Sequence, residues 1–546
     1  MDVNRPETAA DDSPAACEVV ADQAGRDRLV RNVLASWGGH FAFLLAGFIM
    51  PRLVDAHLGQ AALGVWDFAW SLISYLGLVQ VGIVSSVARY VAKYRAAEDA
   101  EGVSEVVSSV SLILLAMATV VLGLSIAAAA VVPGLLSGQL GSHVSDARWV
   151  LFLVGLTLTV QIAGAGIGGV VTGCHRWDIH NALHAGGRVL SVIGMIAALL
   201  LGGGLRELAL MNLCGEVVAR IARCVVAYRV YPELRIGVRC ATLAMAWRMF
   251  RFGNKSFFFH MGRSLVNQAA GILIMAYMGP ALLALYSRPM ALIMHAAVLV
   301  RKFALVLTPA TSSLQAMGKQ REVRELLVKS TRYAGYIAVP LVLTLAILGR
   351  AVLRFWMGPH YEDGMLIAIL AVGYLPVMVQ WPTYNILAGL NLHGRPAVAN
   401  LLAAAIGAGM LVLATAVMRW GLVGVAIAIT APFAIANGLF IPLDACRRLG
   451  LSFSRYILDA LRGPVLCAIP FAFCLAVAHA AFVRRAMGVM AGSTLTGVLV
   501  LAVLYWLYAV PASWRRKAAR WAGRSMSEGR AGCDLHRGAR QRGTAK

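Results

Sequence analysis

FFFHMGRSLVNQAAGILIMAYMG, Phe257 to Gly279, is apolar over enough residues to cross a bilayer, yet it carries His260, Arg263, Asn267 and Gln268. A hydrocarbon core of about 30 Å takes about 20 helical residues. Arginine near the middle of such a helix costs about 2.5–3.5 kcal/mol on insertion scales, so its presence calls for a reason. The rest of the chain has the same character: of 546 residues, 59% are hydrophobic and 14% charged, and the mean hydropathy is +0.73. These values identify a polytopic membrane protein. Fourteen apolar runs are long enough to span, near 33–51, 64–86, 107–132, 149–172, 181–202, 207–228, 253–278, 282–309, 332–349, 364–388, 396–418, 421–443, 463–482 and 487–510. Runs this long, joined by Pro and Gly, predict helices rather than the short alternating strands of an outer-membrane barrel. The expected fold class is all-α, a polytopic helical bundle of about 14 transmembrane helices.

Orientation follows from the basic residues. With the N-terminus inside, cytoplasmic segments hold 35 of the 49 Lys and Arg and external segments hold nine, Arg52 and Arg288 among them. Both termini are therefore expected in the cytoplasm, in a bacterial inner membrane. Cys17, Cys174, Cys240, Cys446 and Cys533 fall in cytoplasmic segments and Cys214, Cys224, Cys467 and Cys474 in spans, so none meets an oxidising exterior. Residues 1–32 hold seven acidic residues and no apolar core, which reads as a polar tail rather than a cleaved signal peptide. The net charge of +23 is concentrated partly after Pro511. Insertion topology and attraction to anionic membrane lipid account for it without nucleic acid.

The sequence is internally duplicated. SWGGHF (Ser36–Phe41) lies 220 residues before SFFFHM (Ser256–Met261), pairing Ser36 with Ser256 and His40 with His260. At the same offset LGQAALGVW (Leu58–Trp66) pairs with MGPALLALY (Met278–Tyr286), and AEGVSEVV (Ala100–Val107) with QREVRELL (Gln320–Leu327). At offsets of 216 to 219, TGCHRWDIHN (Thr172–Asn181) pairs with AGLNLHGRPAVAN (Ala388–Asn400). Six spans separate the partners, an even number, so the halves are parallel repeats. The expected organisation is a tail (1–32), an N-lobe of six helices (33–230), a linker (231–252) and a C-lobe of six helices (253–443). A loop (444–462), two appended helices (463–510) and a basic tail (511–546) follow. Two lobes facing a central cavity is the arrangement of alternating-access transporters.

Polar residues inside the spans mark where that cavity would be lined. Ser256, His260, Arg263, Asn267 and Gly271 form one stripe of the seventh span. Arg263 lies roughly 16 Å from the expected cytoplasmic start, near the midplane. The matching first span carries His40 and ends at Arg52, the second adds Asp67, and the eighth adds Arg301 and Lys302. The candidate substrate-lining set is therefore Arg263, Arg52, Arg301, Lys302, His260, Asn267 and Ser256. Each has a structural alternative: Arg52, Arg301 and Lys302 can snorkel to an interface, and the histidines can be satisfied by packing. Glu216 and Arg220, i and i+4 on the sixth span, can neutralise one another. Arg263 is too deep to snorkel, which favours a role in the lumen.

Other motifs point away from chemistry. GAGIGG (Gly164–Gly169) fits GxGxxG but has no preceding strand, so helix packing through Gly164 and Gly168 is expected. His175, His180 and His184 lack an acidic or thiolate frame for a metal. HExxH, Walker A and nucleophile-elbow patterns are absent from the sequence. A transporter needing no cofactor and no metal is expected, not an enzyme.

LGLVQVGIVSSVARYVAKY (Leu76–Tyr94), PATSSLQAMGK (Pro309–Lys319), FWMGPHYEDG (Phe355–Gly364) and LAGLNLHGRP (Leu387–Pro396) resemble the Wzx-type polysaccharide-unit flippases. That family belongs to the multidrug/oligosaccharidyl-lipid/polysaccharide (MOP) exporter superfamily. The similarity runs from about residue 30 to 450; Arg52 in MPRLVDAHLG matches the family's recurrent arginine after the first span, and FWMGPHY its aromatic–x–Gly external segment. The resemblance implies translocation of undecaprenyl-diphosphate-linked oligosaccharide from the cytoplasmic to the periplasmic leaflet for O-antigen, lipopolysaccharide or exopolysaccharide synthesis. It further implies coupling to a proton or sodium gradient, with polysaccharide polymerase and glycosyltransferases as partners. Guanidinium suits the diphosphate because it offers paired donors and stays charged. Asp67, His40, His260, Glu216 and Arg220 are the residues to which ion coupling would fall. Fourteen spans also fit a lipid II flippase of the MurJ type. A multidrug exporter of the superfamily is the third alternative, although its cationic substrates would prefer an acidic cavity.

Overall fold

The computed structural model describes residues 44–174, 176–510 and Arg515; at 79, 81–86 and 250–263 the description is of the backbone alone. Every regular element among the described residues is helical, as the apolar runs require. A helix occupies the place of each of the fourteen runs, from 44–58 to Met487–Tyr508. Ten are long and apolar enough to cross a membrane, and Ser264–Met278 is a shorter apolar stretch. The chain is a multi-pass membrane protein. The runs that fall short are the first, second, sixth and seventh. The first is described only from residue 44. The second is divided by a 3₁₀ turn, Leu78–Gln80, into Gln60–Gly77 and Val81–Ala96, and carries Asp67. The sixth, Leu205–Val230, carries Glu207, Glu216, Arg220 and Arg223. The intramembrane charge is thus gathered on a few helices rather than spread, as the cost of placing each charge in lipid demands.

The duplication extends to backbone geometry. Gly59 and Gly279, partners at the 220-residue offset, both take left-handed conformations, φ 85° and ψ 168° against φ 87° and ψ 174°. Glycine is needed there because Cβ opposes positive φ. Helices restart at Gln60 and Pro280, and again at Ala100 and Gln320. Later helices end at Gly173 and Gly389 and restart at Trp177 and Gly394, reproducing the shorter offset.

The repeated elements also touch. A Cβ at Gly64 would lie 1.8 Å from the Pro280 carbonyl oxygen, so the two helices approach backbone to backbone. Replacing Gly64 with alanine should force them apart at a cost of about 1–3 kcal/mol, read as a lower melting temperature of the purified protein. An unchanged melting temperature would mean that this approach does not set the packing.

The described chain divides into two compact units. The first runs to Arg288 and takes in Phe355–Tyr361 and Asn400–Pro432. In it, the segment after Val230 is pinned to the helix Ala100–Leu135 by serines, whose hydroxyls satisfy backbone groups that regular structure leaves open. The amides of Arg235, Gly237 and Thr242 donate to the hydroxyls of Ser104 (3.1 Å), Ser108 (3.2 Å) and Ser109 (2.9 Å). The FWMGPHY segment lies across helix 44–58: Trp356 Nε1 donates to the Phe48 carbonyl at 2.7 Å and the Tyr361 hydroxyl to Asp55 at 2.7 Å. Burial, and then the bond to Asp55, push the Tyr361 phenol above its ordinary pKa and keep it a donor. The second unit comprises Pro289–Arg354, Glu362–Ala399 and the chain from Phe433. Its buried Tyr456 hydroxyl shares bonds with Thr331, Thr383 and Gln380. Asp444 pairs with Arg448 at 2.9 Å and with Arg395 of the LAGLNLHGRP stretch at 3.2 Å.

Candidate functional site

A cavity of about 420 Å³ opens within the first unit. Its walls come from helix 44–58 and from the helices Gln60–Gly77, Val144–Ala163, Trp177–Leu200 and Leu205–Val230, with Arg288 from Pro280–Leu305. Met50, Val54, Leu63 and Met195 supply an apolar side, continuous with a core cluster that includes Tyr361. The polar side carries three guanidinium residues, Arg188, Arg223 and Arg288, and two carboxylates, Asp67 and Glu216.

Two ion pairs organise this charge. Arg288 Nη2 lies 2.6 Å and 2.5 Å from the two oxygens of Asp67, and Arg288 is only 5% exposed. Pro289 follows it and removes a backbone donor from the helix at that point. Arg220 reaches Glu216 at 2.6 Å, one turn along the same helix, and Gln161 Nε2 donates to the other Glu216 oxygen at 3.3 Å. The neutralising pair expected from the i, i+4 spacing is therefore formed. Gly164 makes room for it, since a Cβ there would meet Arg220 Cδ at 2.3 Å. The glycine-rich stretch packs helices, but not through Gly168, beside which nothing lies within 4 Å. Its other close approaches are made by Gly166 to Ser111 and Gly169 to Val87.

Of the residues singled out from sequence, Asp67 and Glu216 line this cavity and Arg220 adjoins it through its pair with Glu216. Arg52 is exposed on helix 44–58 with Nη1 3.3 Å from where a Gly358 Cβ would stand, so the arginine and the FWMGPHY glycine meet. Asn267 is half-buried on Leu243–Met278. Arg301, exposed, and Lys302 belong to the second unit. Ser256, His260 and Arg263 lie on the helix Leu243–Met278, where only the backbone is described, and His40 lies outside the described residues.

Arg188, Arg223, Arg288 and Asn212 escaped the sequence reading. The basic-residue distribution puts Arg288 in an external segment, whereas it lines the cavity. Periodicity held the missing signal: His184, Arg188, Ser191 and Met195 form one stripe, and Asn212, Glu216 and Arg223 another, and all line the cavity.

Residues 181–365 match the family model described as "Polysaccharide biosynthesis protein". That segment contains Arg188, Asn212, Glu216, Arg220, Arg223 and Arg288. Solved structures similar to the chain include a multidrug resistance MATE family transporter of the MOP superfamily in its inward-facing conformation. It has a TM-score of 0.64 and 14% identity, over 74% of this chain and 95% of that one. The chain's fold is similar to that of this transporter. A second MOP structure, the lipid II flippase MurJ in an inward closed conformation, aligns with a TM-score of 0.65 and 12% identity, over 88% of this chain and 98% of that one. A third, a MOP transporter from Pyrococcus furiosus described as having a binding pocket of reverse polarity, gives 0.58 and 15%, over 79% and 98%. No curated protein matches the chain. The matched segment and the fold agree with the resemblance carried by the sequence motifs.

Proposed function

We propose that the chain is a flippase that carries an undecaprenyl-diphosphate-linked oligosaccharide from the cytoplasmic to the periplasmic leaflet of the bacterial inner membrane. The observation that supports this most is a cavity with an excess of guanidinium groups inside a MOP-like fold, its arginines lying in a segment that matches a polysaccharide biosynthesis family. A polar, anionic cargo loses hydration on crossing and regains it from fixed cations, whereas the lipid tail need not leave the bilayer. The same polarity disfavours cationic drugs. A lipid II cargo is the second reading, favoured by the alignment with MurJ over 98% of that chain.

In this reading both termini are cytoplasmic, the duplicated halves form the two lobes, and Arg263, His260, Asn267 and Ser256 line the path between them. Arg52, Arg301 and Lys302 supply further positive charge. Ion coupling would act through Asp67 and Glu216, with His40 as a further candidate. Both carboxylates already hold arginine partners, Arg288 and Arg220, so a proton or sodium ion would have to exchange with a guanidinium.

Deletion should leave the lipid-linked oligosaccharide assembled but confined to the cytoplasmic leaflet. Accumulation of the peptidoglycan precursor instead would establish the MurJ-like reading, and failure to assemble the lipid-linked unit would indicate an enzyme.

A further inference from the structure

The linker between the repeats carries an exposed apolar face. Residues 231–252 hold four arginines against Glu233 alone. Their inner side is fixed: Leu234, Met245 and Met249 are buried, and serines of Ala100–Leu135 accept from the amides of Arg235, Gly237 and Thr242. The Thr242 hydroxyl accepts from the Met245 amide at 3.2 Å, capping Leu243–Met278, and donates to Glu105. The outer side is left to Val238, Leu243 and Trp247, which are 74%, 87% and 64% exposed. Leu243 and Trp247, one turn apart, share a helix face. Arg235, Arg239 and Arg248 alternate with these residues along the chain, exposed and without a carboxylate partner among the described residues.

Lipid does not account for this face. The stretch that crosses begins at Phe257, well inside the helix Leu243–Met278. Trp247 and Leu243 therefore stand about 15 Å and about 21 Å outside it at about 1.5 Å per residue, past a headgroup layer of about 5–8 Å. Ala100–Leu135, to which the linker is tied, also has 36 residues, about 54 Å of helix against about 40–45 Å for a bilayer with its headgroups. An apolar patch flanked by charge and standing in water marks a site of protein contact. The chain itself holds a segment of the complementary kind. Residues 1–25 carry six acidic residues against Arg5 alone, and within them CEVVAD (Cys17–Asp22) sets Val19 and Val20 between Glu18 and Asp22. By contrast, Arg321 and Lys329 at the start of Gln320–Met357 pair with Glu325 of their own helix. A tether within one chain gives an effective concentration on the order of millimolar, so a contact too weak to capture a separate peptide is occupied.

We propose that the acidic N-terminal segment docks on this face, with Val19 and Val20 against Leu243 and Trp247 and with Glu18 and Asp22 toward Arg239 and Arg248. The contact ties the N-terminus to the linker between the repeats, an interaction that the transport reading does not assign. It rests on one part of that reading, the placement of the N-terminus and of residues 231–252 in the cytoplasm. Exposed charges are screened over about 8 Å at physiological salt and about 3 Å at 1 M, so the contact is salt-sensitive.

Photo-cross-linking of the full-length protein in native membranes tests it, with p-benzoylphenylalanine in place of Leu243. That side chain points outward, so its replacement disturbs little packing. The linked peptide, identified by mass spectrometry, should come from residues 1–28, in a product of monomer size. Arg239→Glu combined with Arg248→Glu, or salt at about 1 M, should lower the yield about threefold or more at unchanged protein abundance. Adding Glu18→Lys and Asp22→Lys to the reversed pair should restore part of it. A product with phospholipid or with another protein in place of the tail would overturn the proposal. So would a tail product of dimer size, or a yield indifferent to charge reversal. Topology is read separately from the natural thiols of Cys17 and Cys240, which an impermeant reagent should reach in inverted vesicles and not in spheroplasts. Labelling in spheroplasts would mark a fault in the topology, whereas cytoplasmic thiols without the cross-link would mark a fault in the docking alone.

Discussion

Replacing Arg288 with leucine should produce the largest loss of stability available from a single side chain in the first unit. Arg288 and Asp67 are both nearly buried, with side chains 6% and 14% exposed, and each is the other's principal partner in the cavity wall. Removing one member of such a pair leaves an uncompensated charge in a poorly solvated place, at about 3–5 kcal/mol, whereas replacing both can be close to neutral. The single variant should therefore be recovered in much lower yield and melt well below the parent. Asp67→Asn combined with Arg288→Leu should restore most of the folded protein. A single variant as stable as the parent would show that Asp67 finds another partner or a proton without cost.

Arg263→Ala should abolish most transport per molecule of inserted protein, and Arg263→Lys should retain part of it. Lysine keeps the charge at that depth but loses the planar pair of donors that grips phosphate oxygens. The argument rests on the position of Arg263 on Leu243–Met278, within the stripe shared with His260 and Asn267. An arginine serving only the fold would give a different pattern, reduced abundance with normal transport by each remaining molecule. Export of polysaccharide normalised to membrane-inserted protein separates the two. Normal export by Arg263→Ala at normal abundance would remove this residue from the mechanism.

What the sequence disclosed, and what it withheld, follows from the range of the forces involved. Span length and helical class are properties of contiguous apolar runs, so each of the fourteen runs has its helix. The duplication was legible because a turn needing positive φ leaves its glycine in place, at Gly59 and again at Gly279. The Glu216–Arg220 pair was legible because its members lie one turn apart. Asp67–Arg288 was not, since 221 positions separate the partners and nothing local names one as the other's. Arg288 stands only eight residues after Pro280, close enough to a helix end to be taken for an external residue. Gly168 shows a further limit: a GxxxG-like spacing identifies small residues but not which of them meets a neighbour, and here Gly169 and Gly166 do.

The central claim, that this chain moves a lipid-linked glycan between leaflets, is tested most directly by the leaflet distribution of the undecaprenyl-diphosphate-linked oligosaccharide in cells lacking the protein. Spheroplasts would be probed with an impermeant glycan-modifying reagent, with and without the gene restored. The account predicts that the unit accumulates out of reach of the reagent in the deletion and becomes accessible on restoration. A unit equally accessible in both, with surface polysaccharide unchanged, would contradict it.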